Sequence, residues 1–240
     1  MPTASVAPTG PPTIDFAQCL RFVFEDPEWI KKMLIGGLFA LLSPLIVGAF
    51  FVAGYWARLV KRVAAGEPRP LPDWDDLGAI FGDGVRIVGL YFIYTLGAGL
   101  IVGIPAGVGC LALISLGAAA GRSEDAGGAV AALGGLGFTG IYAFFLLLML
   151  TLALYLPAAF VRVVIKDDFG AGFAFRETFQ FIKSNLGNYA LSLVLHLLAG
   201  FVAQFGVLLC CVGVFPIAFW GYCVLGFALG ETVRLNPGSV

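Results

Sequence analysis

Charge is scarce in this chain of 240 residues: 14 Lys and Arg, 15 Asp and Glu, and a single His. What charge there is avoids four long apolar runs. Ile35–Trp56, Ile87–Ala120, Val130–Phe160 and Tyr189–Gly230 contain no Asp, Glu, Lys or Arg. A charged share of 12% against 60% hydrophobic residues excludes an ordinary soluble domain, in which about a quarter of residues carry charge. A net charge of −1, with basic residues scattered among acidic ones, excludes the basic stripe that gathers nucleic acid. The lone His196 leaves no second imidazole for a metal site. Any Ser-His-acid triad would need acids from another layer, and no Gly-x-Ser-x-Gly elbow occurs. The five cysteines, Cys19, Cys110, Cys210, Cys211 and Cys223, make no metal-ligand spacing and read as small packing residues. Paired carboxylates occur only in polar stretches, Asp75–Asp76, Glu124–Asp125 and Asp167–Asp168. Lys166–Gly170 holds the letters of a kinase metal-binding loop without a phosphate loop or catalytic loop to accompany them, so Asp167 or Asp168 reads as a turn or helix cap. No catalytic, cofactor-binding or metal-binding residues are expected, and the chain reads as a non-enzyme.

What is present is apolar length. A bilayer core about 30 Å thick needs about 20 apolar residues per helix. The runs therefore predict an all-α integral membrane protein, a polytopic bundle of about three helical hairpins. Residues 87–161 and 188–233 read as hairpins, the first turning at Gly121–Asp125 and the second near Cys211–Gly213. Residues 27–64 are less decided, being either a short hairpin turning at Ser43–Pro44 or one kinked span. Asp26–Pro27–Glu28 has the form of a helix start.

Ahead of the apolar runs lie amphipathic segments that suit elbow helices in the membrane interface. Phe16, Leu20, Phe22 and Phe24 alternate with Asp15, Gln18, Arg21 and Glu25 within residues 15–33. Phe173, Phe175, Phe179 and Phe181 alternate with Arg176, Glu177, Gln180 and Lys183 within residues 162–187. Trp74–Arg86, within a loop and elbow of residues 65–86, is a weaker third copy, and Trp29, Trp74 and Tyr189 are candidate interface anchors. The proline-rich stretch Glu67–Trp74 reads as a stiff link that docks Trp74 or as a partner-binding loop. Residues 1–14 and 234–240 read as cytoplasmic tails, the first disordered. Lys and Arg cluster beside the span ends at Arg58, Lys61, Arg62, Arg69 and Arg86, again from Arg162 to Lys183, and at Arg234. The positive-inside rule then places both termini in the cytoplasm of a prokaryotic plasma membrane, with Arg122 outside.

Two patterns lie inside the runs. Gly99, Gly103 and Gly107, and again Gly226 and Gly230, stand four apart, which favours close helix packing, within the chain or across a dimer. Asn188, Ser192, His196 and Gln204 form a polar ridge. It is a candidate groove, or else a set of hydrogen bonds to a neighbouring helix.

The string Trp29, Gly36–Gly37, Gly54–Tyr55, Arg58, Gly66, Leu71–Pro72–Asp73–Trp74 and Phe81–Asp83–Gly84 resembles the prokaryotic membrane family catalogued as domain of unknown function 4013. Pro157, Lys166–Asp167, Gly170, Arg176 and Asn185 are similar, more weakly, to the membrane domain of some glycerophosphodiester phosphodiesterases, whose catalytic part is a separate domain. Neither resemblance implies a catalytic residue here. The expected role is to organise membrane lipids or partner proteins, or to serve as an accessory subunit of an envelope or transport assembly, with a protein partner or second copy possible and no nucleic acid. A secondary transporter or lipid-translocating protein is the alternative, and a lipid-headgroup hydrolase comes third.

Overall fold

The computed structural model describes residues 13–119, 124–208 and 213–240. The first twelve residues, the turn carrying Arg122 and the Cys210–Cys211 pair lie outside the described residues. Among the described residues eight α-helices follow one another: α1 Phe16–Arg21, α2 Trp29–Leu41, α3 Val47–Ala64, α4 Leu77–Ala119, α5 Glu124–Lys166, α6 Phe175–Ser184, α7 Leu186–Gln204 and α8 Val214–Leu235. Short 3-10 turns join several of them, and the described residues contain no strand. Four helices, α4, α5, α7 and α8, are long and apolar enough to cross a membrane. The chain is an all-α, multi-pass membrane protein.

The chain folds as two units, one of Met1–Val88 with Ala158–Val240 and one of Gly89–Pro157. In the first, α8 is central, packed by α2, α3 and α7. Small residues set the approach. A Cβ on Gly226 would stand 3.0 Å from Trp56, and one on Gly230 2.7 Å from the Cβ of Val63, so α8 closes on α3 backbone to side chain. Helix α3 ends in a Schellman motif: Gly66 at φ 75 lets its own N–H reach the Val63 carbonyl and that of Glu67 reach Arg62.

Between α2 and α3 the chain reverses. Phe39 stacks on Phe51 at 4.4 Å, and at the other end Lys32 and Arg62 both donate to the Leu71 carbonyl. The reversal runs through Ser43–Leu45 and Ile46, whose φ of 68 is unusual for a β-branched residue. Asp26 accepts from the Glu28 N–H (2.8 Å), while α2 itself begins three residues after Asp26, at Trp29.

At the start of the described residues Ile14 is buried and donates its N–H to Asn188 Oδ1 (3.3 Å), and Asp15 caps α1. One expectation needs correction. The third elbow is not a separate helix. Asp76 caps at Ala79 (3.0 Å), and α4 then runs unbroken from Leu77 through Arg86 into the apolar run. No residue between them breaks the helix, because Gly84 is spent on contact: a Cβ there would sit 1.8 Å from the Phe50 carbonyl, as one on Gly54 would from that of Ile80.

The second unit holds the distal parts of α4 and α5, helices of 43 residues each. Its described Thr and Ser hydroxyls all bond back to their own helix, Thr95 to Tyr91, Ser115 to Leu111, Thr139 to Gly135 and Thr151 to Leu147. Side chains satisfied this way add no polar group that lipid would leave unpaired. Gly99, Gly103 and Gly107 do not pack against another helix here, since a Cβ on any of them meets nothing within 4 Å.

The two kinds of glycine should separate on substitution. Gly84→Ala forces backbone apart and should lower unfolding free energy in detergent by about 1–3 kcal/mol or more. Gly99→Ala should be neutral or stabilising, by up to about 1 kcal/mol from helix propensity. Equal losses at both positions would contradict this assignment.

Candidate functional site

The polar ridge on α7 is divided among ordinary structural tasks. Ser192 is fully buried and its hydroxyl donates to the Asn188 carbonyl one turn earlier (2.8 Å). Asn188 receives the Ile14 N–H. His196 Nδ1 lies 3.2 Å from the Gly221 carbonyl on α8, and because a carbonyl only accepts, the proton sits on Nδ1. The imidazole also lies 5.6 Å from the Tyr222 ring. Gln204 is exposed at the end of α7. The residues thus do not converge on one groove: Ser192 bonds within its own helix, Asn188 and His196 bond other segments, and Gln204 is left exposed.

The proposed anchors also divide. Trp29 stays at the start of α2, edge-on to Phe24 at 4.9 Å. Trp74 is instead a core ring, stacked on Tyr55 at 4.5 Å with its indole N–H donated to the Lys32 carbonyl (3.1 Å). Tyr189 is buried, edge-on to Phe181. An aromatic near an apolar run looks the same in sequence whether its ring faces lipid or core.

The densest polar construction lies at the open ends of α2 and α3. The Lys32 ammonium is buried, with 2.8 Å bonds to Asp26 Oδ2 and Asp73 Oδ1 and 3.2 Å to the Leu71 carbonyl. All three of its donors are used. Arg62 reaches the same carbonyl at 2.9 Å and Glu67 at 3.3 Å. The Lys32 hydrogen bond, with the nearby positive charge, holds the Asp73 carboxyl below the ordinary carboxylate range. Nearby, Arg58 pairs with Asp83 (3.0 Å), and Asp167 accepts from both Lys61 and Arg86. Asp168 caps the next turn through the Gly170 N–H (2.9 Å), as its sequence position implies. The buried Arg162 guanidinium pairs with Glu177.

Beside the Lys32 cluster opens a cleft of about 230 Å³. Its floor includes Phe22, Val63 and Phe227, with Phe22 stacked on Phe227 at 4.2 Å, and its rim includes Glu25, Asp26, Arg69, Glu231 and Arg234. The rim carboxylates are spoken for: Glu25 by Arg21, Asp26 by Lys32 and Glu231 by Arg234. None is left as a poised general base. Burial pushes the Cys19 thiol up to about 12, which removes it as a nucleophile at neutral pH. Among the described residues, no three His, Cys, Asp or Glu side chains gather to hold a metal ion.

Sequence reasoning missed this cleft because its walls come from α1, the loop after α3 and α8. The available signal was Lys32, a lysine one turn into a helix that runs into an apolar stretch. Such a charge needs acidic partners from elsewhere.

The family model described as a protein of unknown function (DUF4013) matches residues 37–212, more than half of the chain. The chain belongs to the DUF4013 family. The resemblance read from Trp29 through Gly84 leads to the same family, whereas the weaker one to the phosphodiesterase membrane domain finds no support. No curated protein and no solved structure matches this DUF4013 protein. In structural terms Gly54 and Gly84 of the family-like string lie at close backbone contacts between α3 and α4, and Trp74 and Tyr55 are a stacked pair.

Two measurements test these roles. His196→Leu should cost about 0.6–2 kcal/mol of stability, the worth of one interhelical bond in a membrane, while Gln204→Leu should leave stability unchanged. A loss of activity at unchanged stability in either variant would restore the groove reading. Lys32→Met should cost about 3–5 kcal/mol, because it strands the buried Asp26 carboxylate. The pH dependence has a definite sign. Asp73's lowered pKa contributes stability that is complete above the ordinary carboxylate range and is lost as pH falls through the lowered value. The unfolding midpoint should therefore begin to drop only below about pH 4, and less so in Asp73→Asn.

Proposed function

We propose that this protein is a non-enzymatic component of the prokaryotic plasma membrane that organises lipids or partner proteins from its cytoplasmic side, as an accessory subunit of an envelope or transport assembly. The observation that carries this reading is the distribution of charge. The buried cations Lys32 and Arg162 are tied to carboxylates, and the rim carboxylates of the cleft are already paired. A coupled transporter keeps ionisable groups inside the membrane to bind and release its ion, and the apolar runs offer only His196, held by a backbone carbonyl. The positive-inside rule supports a cytoplasmic side for both termini, the side of Arg58, Lys61 and Arg234.

The elbow reading belongs to the same proposal. Helix α6 buries Thr178 and Phe181 and exposes Phe175 (60%) and Phe179 (64%) beside Arg176 and Lys183. That mixed face suits the headgroup boundary, where rings and cationic side chains are both accommodated. On α1, Phe16 is exposed in the same way.

Native mass spectrometry of the protein released from nanodiscs should retain bound phospholipid or a protein partner. Proteoliposomes holding this protein alone should show no proton- or sodium-coupled flux under an imposed gradient. Coupled flux by the purified protein would overturn the proposal in favour of a transporter.

A further inference from the structure

The α2–α3 hairpin has an apolar tip and polar feet, and its length does not match a bilayer. From Lys32 to Leu45 along α2 and its turn is roughly 20 Å at 1.5 Å per residue, and from Val47 to Arg58 on α3 roughly 16 Å. The hydrocarbon core measures about 30 Å. A hairpin that crossed would deliver its turn to water on the far side. This turn is built for the opposite surroundings: Leu45 (69%), Ile46 (64%) and Val47 (55%) stand exposed, with no charged residue anywhere from Met33 to Ala57.

Part of the turn's backbone is paired within the turn itself. The N–H groups of Leu42, Leu45, Ile46 and Ala49 donate to the carbonyls of Leu38, Leu42, Ser43 and Ile46 at 2.8–3.1 Å. Pro44 has no N–H to satisfy, and the Ser43 hydroxyl, the polar side chain of the turn, donates to the Phe39 carbonyl (3.1 Å). Each unpaired backbone polar group facing acyl chains costs several kcal/mol, so these bonds lower the cost of holding the turn in hydrocarbon. Leading to the turn, Ile30, Leu34, Leu38 and Leu41 form an exposed stripe along α2 with i, i+4, i+8, i+11 spacing, each at least 43% exposed. The feet are the contrary case, being locked by Lys32 to Asp26 and Asp73 and by Arg58 to Asp83.

We infer that α2–α3 is a re-entrant hairpin: it enters the bilayer from the side of Lys32 and Arg58 and turns within the hydrocarbon, its stripe and tip covered by lipid acyl chains. A wedge of this depth occupies one leaflet and displaces acyl chains there without a matching volume opposite. The inference rests on the multi-pass membrane character of the chain and not on the role proposed above.

Spin-label depth measurement tests it in the full-length protein. The background is Cys110→Ala, Cys210→Ala and Cys211→Ala, with Cys19 and Cys223 retained because both are buried. Labels are placed singly at Leu45→Cys, Ile46→Cys, Arg69→Cys and Leu197→Cys, all exposed positions, in phosphatidylcholine–phosphatidylglycerol vesicles. Labels at positions 45 and 46 should collide with dissolved oxygen, exclude a water-soluble nickel chelate, and report a depth of about 15 Å, near the bilayer midplane. The label at position 69 should be fully accessible to the chelate. Chelate access at 45 and 46 with a lipid-protected label at 197 would overturn the re-entrant hairpin while leaving the membrane fold intact. Chelate access at 45, 46 and 197 together would overturn both.

Discussion

The buried ammonium of Lys32 is the interaction on which the first unit depends. A cation removed from water is tolerable only when each of its donors finds an acceptor. The acceptors come from two directions, Asp26 from the turn ahead of α2 and Asp73 with the Leu71 carbonyl from the loop after α3. Meeting that demand fastens the proline-rich loop across the open end of the α2–α3 hairpin. It also delivers Trp74 onto Tyr55, and with it the aromatic group that includes Phe39 and Phe219.

The same logic extends through the charged ends of the helices. Arg58 to Asp83, Lys61 and Arg86 to Asp167, and Arg162 to Glu177 link α3, the start of α4, the end of α5 and α6. Further along these helices the means of attachment changes. There the contacts are glycines that admit a carbonyl or a ring, as at Gly54, Gly84, Gly226 and Gly230. Polar fastening at one end and close backbone approach along the remainder is what a medium without water permits: hydrophobic burial gives no drive between helices in lipid, so packing and hydrogen bonding must suffice. The paired rim of the cleft and the apolar tip of the hairpin follow from one division, with charge kept to the ends and hydrocarbon met by the rest.

Some of this was legible from residue order. Runs free of charge over 20 or more residues point to membrane helices, and the string from Trp29 to Gly84 pointed to the family. Local chemistry was legible where it acts over a few residues, as in Asp168 capping the turn at Gly170. The reading failed wherever a residue's role depends on which side of its helix meets a partner. Trp74 and Tyr189 looked like interface anchors and are packed inward. Asn188, Ser192, His196 and Gln204 looked like one ridge, and a spacing of four drifts around a helix of 3.6 residues per turn, so they meet different neighbours. Gly99, Gly103 and Gly107 have the spacing of Gly226 and Gly230 but not their contacts.

What the sequence by itself determined is the medium and the secondary structure, because hydropathy, caps and breakers act along the chain. Only the tertiary structure decided which polar groups are paired. It placed Lys32 against two carboxylates, His196 against the Gly221 carbonyl and Arg162 against Glu177, and it left the tip at Leu45–Val47 exposed. The reason is that these ion pairs and hydrogen bonds join residues on different segments, from six to about forty positions apart, and the cost of leaving one partner unmatched appears only when the segments are brought together.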